Sequence, residues 1–167
     1  MRFYHIKDEY IAFLRQYDQR VALNKQQKRP YIGVVVEVDG MKYYAPLTSP
    51  KPKHRRMKNG KDFRKIKQGE YGAINFNSMI PVIDSALLSF DIEQIPDEQY
   101  RRLLQNQYKA VKADKEAIEK TAEELHTLVL TEDALLSTHD REIKTRCCDF
   151  VLLESVCEDY DRQMCVV

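Results

Sequence analysis

The chain has 167 residues, 43% of them hydrophobic and 32% charged, which is the length of one domain with enough apolar side chains for a core. Its formal net charge of +1 excludes a uniformly basic nucleic-acid binder, so any affinity for phosphate must come from local clusters of charge. The sequence contains no apolar run that suits a signal peptide or a membrane span. We therefore expect one domain, residues 1–167, that acts in the cytoplasm without a membrane partner.

The amino-terminal residues predict a short strand followed by a small helix. Phe3–Ile6 suits the strand, and Asp8 is expected to cap a helix that runs to Tyr17. Apolar residues recur at helical spacing along this segment, which predicts one amphipathic helix. A polar, basic connection over residues 24–30 separates it from the next element.

A β-hairpin follows the basic connection. Tyr31–Val38 is apolar and β-branched almost throughout, as expected of a central strand. The dipeptide Asp39-Gly40 suits a type I′ turn, in which both central residues have positive φ, so Met41–Leu47 is predicted to return as the second strand.

The middle of the chain predicts a surface loop and then several short strands. Prolines and repelling charges oppose regular structure over residues 48–61. Glycine and polar breaks then separate four candidate strands, which are Phe63–Ile66, Tyr71–Phe76, Met79–Ile83 and Leu87–Ile92. With the hairpin, these strands predict one curved, mostly antiparallel sheet.

The remaining residues predict helices, which makes the fold α+β with a sheet surrounded by helices. Pro96-Asp97-Glu98 opens one long helical segment whose nearly heptad apolar stripe indicates packing on the sheet rather than a coiled coil. A last helix is predicted over Glu142–Tyr160. The apolar positions of the two helices are Leu104, Tyr108, Val111, Ile118, Ala122, Leu125 and Val129, and then Phe150, Leu153, Val156 and Cys157.

Four cysteines lie near the carboxyl terminus, at Cys147, Cys148, Cys157 and Cys165. Their spacing matches neither paired zinc ligands nor a small disulfide scaffold. We expect reduced, partly buried thiols, no metal site and no cofactor.

Residues 51–67 hold most of the local positive charge. Only Asp62 offsets the nine cations of this basic run, which are Lys51, Lys53, Arg55, Arg56, Lys58, Lys61, Arg64, Lys65 and Lys67. Aromatic residues on the flanking strands offer stacking surfaces for bases, a combination typical of single-stranded RNA binding; they are Tyr31, Tyr43, Tyr44, Phe63 and Tyr71. The alternative is a solvated charged loop beside core tyrosines.

Two hydroxyls and a lysine, Thr48, Ser49 and Lys51, follow the end of the hairpin. Cleavage of RNA without a metal requires a base for the ribose 2′-OH, cations for the phosphorane and an acid for the leaving oxygen, and the dense carboxylate site of a two-metal nuclease is absent from this region. Ser49 lacks the G-x-S-x-G elbow of a serine hydrolase, although both hydroxyls also suit a plain turn. His54 is a candidate general acid, an RNA contact or a residue without a role.

The segment K-Y-Y-A-P-L-T-S-P-K at residues 42–51 resembles the K-Y-x-A-P-L-T-S-P-K segment of the ToxN/AbiQ family of endoribonuclease toxins. Residues 31–37 are similar to the family's strand before the hairpin, and residues 72–81 resemble its G-x-I-N-x-x-x-M-I-P segment. With the opening Phe3-Tyr4 and the charged helix after Pro96, the resemblance spans most of the chain.

The resemblance implies a sheet core related to the MazF/Kid toxin barrel and sequence-selective cleavage of single-stranded RNA that leaves a 2′,3′-cyclic phosphate. It implies a type III toxin–antitoxin system that causes growth arrest or phage defence. The expected partner is a repetitive RNA antitoxin, which the toxin cuts into pseudoknotted repeats that stay bound at the active site and join toxins into a closed protein–RNA assembly.

By position in the motif, the resemblance implies a catalytic cluster of Thr48, Ser49 and Lys51, with Arg29 where relatives have a basic residue. Arginine keeps the charge but rarely loses a proton, which argues against proton transfer by Arg29. The candidate RNA-binding residues are Tyr10, Lys28, Tyr31, Lys53, His54, Arg55, Arg56, Lys58, Lys61, Arg64 and Lys65.

Two alternatives belong to other functional classes. A non-catalytic RNA-binding regulator would use the same basic run to hold a structured RNA, and it predicts binding without cleavage. A helical interaction protein would work through residues 100–130 and predicts no affinity for RNA.

Overall fold

A computed structural model describes residues 1–26 and 28–164 of the chain. The fold combines one β-sheet with helices. Most of the strands precede the helices in the chain, as the sequence predicts. The strands of the described residues are β1 Arg2–Ile6, β2 Tyr31–Val38, β3 Met41–Thr48, β4 Phe63–Lys65, β5 Ala73–Asn75, β6 Ile80–Pro81 and β7 Leu87–Ser89.

The β2–β3 hairpin forms the centre of the sheet. Asp39 and Gly40 have φ values of 50° and 83°, which confirms the predicted turn. The sheet order is β4-β5-β3-β2-β1-β7, β6 pairs with β3 beside this path, and the pairings are antiparallel. The predicted antiparallel sheet is therefore confirmed, although β4 to β7 are shorter than the segments predicted for them.

The sheet is open in the part of the chain that the structure describes. Its two ends are β4 and β7, and these strands do not pair with each other there. A closed barrel is therefore not formed by these strands, and the relationship to the MazF/Kid barrel stays a prediction.

The helices are α1 Asp8–Tyr17, α2 Pro52–Arg56, α3 Glu98–Ala113, α4 Lys115–Leu130, α5 Thr138–Arg146, α6 Phe150–Cys157 and α7 Asp159–Met164. The predicted end of α1 at Tyr17 is confirmed, but its cap residue is Lys7, so the prediction that Asp8 caps the helix is wrong. Asp8 instead accepts a hydrogen bond from the Asn24 amide at 2.7 Å. No helix among the described residues is long and apolar enough to cross a membrane.

The long helical segment after Pro96 is two helices rather than one. Asp97 caps α3 by accepting a hydrogen bond from the Tyr100 N–H. Asp114 interrupts the segment with φ −104° and ψ 13°, because a short polar residue favours the ends of helices over their interiors. The predicted apolar stripe is nevertheless buried, and α4 packs on β2. Its buried members are Leu104, Val111, Ile118, Ala122, Leu125 and Val129.

The predicted last helix is three separate helices, α5 to α7. Cys147 is extended and ends α5, and Asp149 starts α6 by accepting a hydrogen bond from the Leu152 N–H at 3.1 Å. This side-chain cap satisfies a donor that a continuous helix would satisfy along its backbone. Phe150, Leu153 and Cys157 are buried as predicted.

Three of the four cysteines lie in the described residues and are free, buried thiols. Burial raises the pKa of Cys147 and of Cys148 to about 12 and that of Cys157 to about 11. The thiolate is the reactive form, so these three cysteines belong to the core. Cys165 lies outside the described residues.

Candidate active site and RNA-binding groove

The Thr48–Lys51 junction leaves the sheet at the end of β3. Thr48 is the last residue of that strand and pairs with Ala73 of β5. Its hydroxyl oxygen is buried and has no hydrogen-bond partner among the described residues, whereas Ser49 and Lys51 are exposed. A rigid strand end therefore holds two hydroxyls and an ammonium group close together along the chain.

The segment after Lys51 begins with the short helix α2, so the prediction of an irregular loop over residues 48–61 is wrong for residues 52–56. Pro52 occupies the first helical position, where its fixed φ favours the helix and its missing N–H costs nothing. Lys51 is the cap residue, with an extended backbone (φ −135°, ψ 149°). The basic run is thereby ordered immediately after the two hydroxyls.

His54 is buried rather than exposed in a basic loop, with 2% of its surface accessible. Its Nδ1 accepts a hydrogen bond from the backbone N–H of Lys51 at 3.2 Å. Burial, followed by the charges of Lys53 and Lys51, lowers the pKa of His54 below its ordinary value. His54 is therefore packed against the backbone that it positions, in the wall of a cavity that Lys51 and Lys53 also line, and its contact with RNA stays a prediction.

Two glycines with positive φ press against the junction from the β4–β5 connection. A Cβ at Gly72 (φ +91°) would lie 2.0 Å from the carbonyl oxygen of Thr48, and one at Gly69 (φ +90°) would lie 2.7 Å from the carbonyl carbon of His54. Only glycine combines this backbone conformation with such a close approach. The connection therefore fixes the main chain of the candidate site.

Arg29 approaches the junction from the connection between α1 and β2. The Leu47 N–H donates to the carbonyl of Pro30 at 2.9 Å, which ties this connection to the end of β3. The Arg29 side chain donates to the Leu23 carbonyl through Nε at 2.8 Å. Arg29 lines one cavity with Thr48, Ser49 and Lys51, so the structure brings the four predicted catalytic residues together.

Two cavities meet at the junction, and Thr48, Lys51 and Asn75 line both of them. The cationic cavity, of about 660 Å³, extends toward α5 and is lined further by Lys53, Lys58, Asn59, Lys61, Asp62, Phe63, Asn77, His139 and Arg146, among others. The aromatic cavity, of about 530 Å³, extends toward β1 and α3 and is lined further by His5, Lys25, Lys28, Arg29, Ser49, Phe90, Ile95 and Tyr100, among others. Together they form a two-armed groove with Lys51 at its centre.

Residues 2–158 match the model of a family described as toxin ToxN of type III toxin–antitoxin systems. The chain belongs to the ToxN family. Endoribonuclease ToxN of Bacillus thuringiensis subsp. kurstaki is 32% identical over 95% of this chain and 84% of its own length. Endoribonuclease ToxN of Pectobacterium atrosepticum is 30% identical over 98% of this chain and 95% of its own length.

Solved structures of the ToxN family share the fold. A type III toxin structure described with selective toxin inhibition by a non-coding RNA pseudoknot superimposes with a TM-score of 0.83 at 30% identity, covering 95% of this chain and 96% of that one. The structure of AbiQ, described as a lactococcal anti-phage endoribonuclease, superimposes with a TM-score of 0.78 at 27% identity, covering 96% of this chain and 98% of that one.

The basic run of this ToxN-family chain divides into paired and unpaired cations. Lys61 binds Asp140 at 2.6 Å and Arg64 binds Asp114 at 2.6 Å, so carboxylates already neutralise two of the predicted RNA contacts. Lys65 has no ion pair with described residues but is partly buried. The predicted contacts that are exposed and without an ion pair among the described residues are Lys28, Lys53, Arg55, Arg56 and Lys58.

The tyrosines predicted to contact RNA belong to the core. Tyr10 is fully buried and its hydroxyl donates to the carbonyl of Pro81 at 2.8 Å. Tyr31 is also fully buried, and burial raises the pKa of both phenols. Tyr10 and Tyr31 thus pack in the core, as do Tyr43 and Tyr44, and the RNA contacts of Tyr10 and Tyr31 stay a prediction.

The aromatic rings that line the aromatic cavity are His5, Phe90 and Tyr100, and sequence reasoning singled out none of them as an RNA contact. They lie far apart in the sequence and meet only through the pairing of β1 with β7 and the start of α3. Asn75, which lines both cavities, could have been found from the sequence, because it belongs to the G-x-I-N segment that resembles the ToxN/AbiQ family. No group of three or more His, Cys, Asp or Glu residues that could hold a metal is found in residues 1–26 and 28–164.

Proposed function

We propose that this protein is an endoribonuclease toxin that cuts single-stranded RNA without a metal, by attack of the ribose 2′-OH on the adjacent phosphate. The single observation that carries the proposal is that Thr48 and Lys51 line both arms of the groove. A strand that follows both arms passes its scissile phosphate over these two residues. Membership of a family whose relatives are endoribonucleases supports the same activity.

In this reaction the 2′-oxygen loses its proton and bonds to phosphorus while the bond from phosphorus to the 5′-oxygen breaks. The products are a 2′,3′-cyclic phosphate and a 5′-hydroxyl, after the leaving oxygen takes up a proton. Lys51 either accepts the 2′-OH proton or, as an ammonium ion, stabilises the phosphorane. Thr48 and Ser49 donate hydrogen bonds to phosphate oxygens, and Arg29 contributes charge, because a guanidinium stays protonated.

The proposed antitoxin is an RNA whose pseudoknotted repeats occupy the same groove after the toxin has cut them from a precursor. One domain, residues 1–167, carries both catalysis and RNA recognition. Each bound repeat joins two toxin copies, and the copies and repeats together form a closed protein–RNA assembly. Inhibition by an RNA pseudoknot, described for a relative of known structure, supports this proposal. We propose that release of the toxin in the cytoplasm leads to growth arrest or phage defence, and that the open sheet derives from a MazF/Kid-like core.

Cleavage in excess EDTA tests the proposal. An end-labelled single-stranded RNA is compared with a copy that carries 2′-deoxyribose throughout, and the product ends are resolved on a gel. We expect cyclic-phosphate ends from the RNA only. RNA that stays intact but shifts on a native gel would instead identify a non-catalytic RNA-binding regulator.

Lys51→Ala tests the assignment of the central cation. We expect loss of cleavage with the thermal midpoint retained, because the Lys51 side chain is exposed. Lys120→Ala is the matched control, since Lys120 lies on α4 with 74% of its side chain exposed and away from both arms of the groove. Cleavage by Lys51→Ala at the rate of the unmodified protein would contradict the role of Lys51.

A further inference from the structure

We infer that the aromatic cavity is a subsite for one unstacked nucleobase next to the scissile phosphate, and that His5, Phe90 and Tyr100 select which base enters it. This inference rests on the proposed endoribonuclease function and adds to it the residues that determine cleavage specificity.

The position of the cavity identifies its occupant. It contains Ser49 and Lys51 at one end and extends from them toward β1 and α3. A nucleotide whose phosphate lies against Lys51 can therefore place its base in this arm. The volume of about 530 Å³ falls within the range of small-molecule sites, which are concave and combine apolar walls with a few polar groups.

Phe90 provides a fixed aromatic wall. Its ring centroid lies 4.2 Å from that of His5 and 6.4 Å from that of Phe3, with which it is stacked at an interplanar angle of 19°. Phe3 is buried, and the pairing of His5 with Leu88 fixes the β1–β7 edge. A wall that is packed before the ligand arrives loses little conformational entropy when a base stacks on it.

His5 and Tyr100 supply polar groups that can read the edge of a base. Burial lowers the pKa of His5 below its ordinary value, so the neutral imidazole offers one donor and one acceptor at pH 7. Tyr100 lies half-buried in the first turn of α3, which Asp97 fixes by accepting the Tyr100 N–H at 2.9 Å. Neither His5 nor the Tyr100 hydroxyl has a side-chain hydrogen bond to the described residues, so both groups are available to a ligand.

The cationic cavity differs in the chemistry of its walls. Its exposed cations, such as Lys53 and Lys58, bear no ion pair with described residues and suit phosphates. Phosphate contacts position a strand without reading its sequence, whereas contacts to base edges specify it. The cationic arm therefore supplies sequence-independent affinity for the RNA backbone, and the aromatic arm selects the base.

Cleavage rates on a matched set of short RNAs test the subsite. The RNAs differ only in the base on either side of one cleavage site, and the unmodified protein is compared with Tyr100→Leu and His5→Gln. We expect a preference for one base at one of the two positions, and a loss of about tenfold in that preference in both variants, as for the removal of one stacking or hydrogen-bonding group. Lys58→Ala is the control, and it should slow cleavage of every RNA by the same factor.

A base preference that stays unchanged in folded Tyr100→Leu and His5→Gln would overturn the inference, as would an equal change in Lys58→Ala. If Tyr100→Leu fails to fold, Tyr100→Phe removes the hydroxyl alone and should alter the preference while the ring remains. If the unmodified protein cleaves none of the RNAs, the proposed function fails separately. Binding of the same RNAs with 2′-O-methyl groups then decides the subsite, which requires a base preference in Kd that Tyr100→Leu weakens.

Discussion

The backbone N–H of Lys51 donates a hydrogen bond to Nδ1 of His54 at 3.2 Å, and the backbone N–H of His54 donates to the carbonyl of Lys51 at 2.9 Å. This reciprocal pair fixes the residue at the centre of the groove to the first turn of α2. Nδ1 accepts a hydrogen bond only while it is unprotonated. The position of Lys51 is therefore linked to the charge state of a buried histidine.

This link predicts that the folded protein becomes less stable at acidic pH. The folded-state pKa of His54 is lowered, so below pH ~6.5 the unfolded chain binds a proton that the folded chain resists. The contribution of His54 to the free energy of unfolding is present at neutral pH and decreases as the pH falls from ~6.5 toward the folded-state pKa. His54→Asn keeps an acceptor and does not titrate, so its thermal midpoint should depend less on pH between 5 and 7.

His54→Phe serves as the comparison, because it fills space without an acceptor for the Lys51 N–H. We expect a loss of cleavage of about 10²-fold at neutral pH, as for small misplacements of a catalytic group. Equal pH dependence of the midpoint in the unmodified protein and in His54→Asn, measured by thermal melts, would show that His54 is not the group responsible.

Gly72→Ala should unfold or inactivate the protein. The added Cβ would lie 2.0 Å from the Thr48 carbonyl oxygen, at φ +91°. We expect a loss of at least ~3 kcal/mol in the free energy of unfolding, from backbone strain combined with the steric overlap. Gly40→Ala is the matched control, because Gly40 has φ +83° but no heavy atom of the described residues within 4 Å of its added Cβ.

Gly40→Ala should lower the free energy of unfolding by only ~1–2 kcal/mol, because alanine is strained in the left-handed conformation. It should leave cleavage unchanged. Urea denaturation and the cleavage assay measure both quantities. A similar loss of stability in the two variants would mean that the close approach to Thr48 contributes nothing beyond backbone strain.

The division of the basic run into paired and unpaired cations predicts two different effects of arginine substitution. Arg56→Gln removes an exposed charge without an ion pair among the described residues, so it should weaken RNA binding and reduce the slope of log K against log salt by ~0.7. Arg64→Gln breaks the ion pair with Asp114, so it should leave the salt slope nearly unchanged and cost ~0.2–1 kcal/mol of stability. Fluorescence anisotropy with uncleavable 2′-O-methyl RNA measures both slopes, and equal slopes would contradict the division.

Local sequence signals predicted the elements that depend on neighbouring residues. The β2–β3 hairpin follows from Asp39-Gly40, and α1 with its end at Tyr17 follows from apolar spacing. The sequence did not predict the helix breaks at Asp114 and Cys147, because the apolar stripes continue across them. An apolar stripe indicates which residues are buried and not whether the backbone helix is continuous. The sequence analysis did not predict the short helix α2, because the repelling charges of residues 51–58 argued against a helix. Pro52 in fact occupies the first helical position, which proline favours.

For the candidate site, too, the sequence predicted only what depends on residues that are neighbours in the chain. The sequence by itself determined the chemical inventory, namely two hydroxyls and a lysine at a strand end beside a basic run, because these residues are contiguous in the chain. Only the tertiary structure decided which groups face the groove. It buried Tyr10 and Tyr31 in the core and packed His54 against the Lys51 backbone in the wall of the cationic cavity. It also brought His5, Phe90 and Tyr100 together, because strand pairing and helix packing join residues that no local pattern connects.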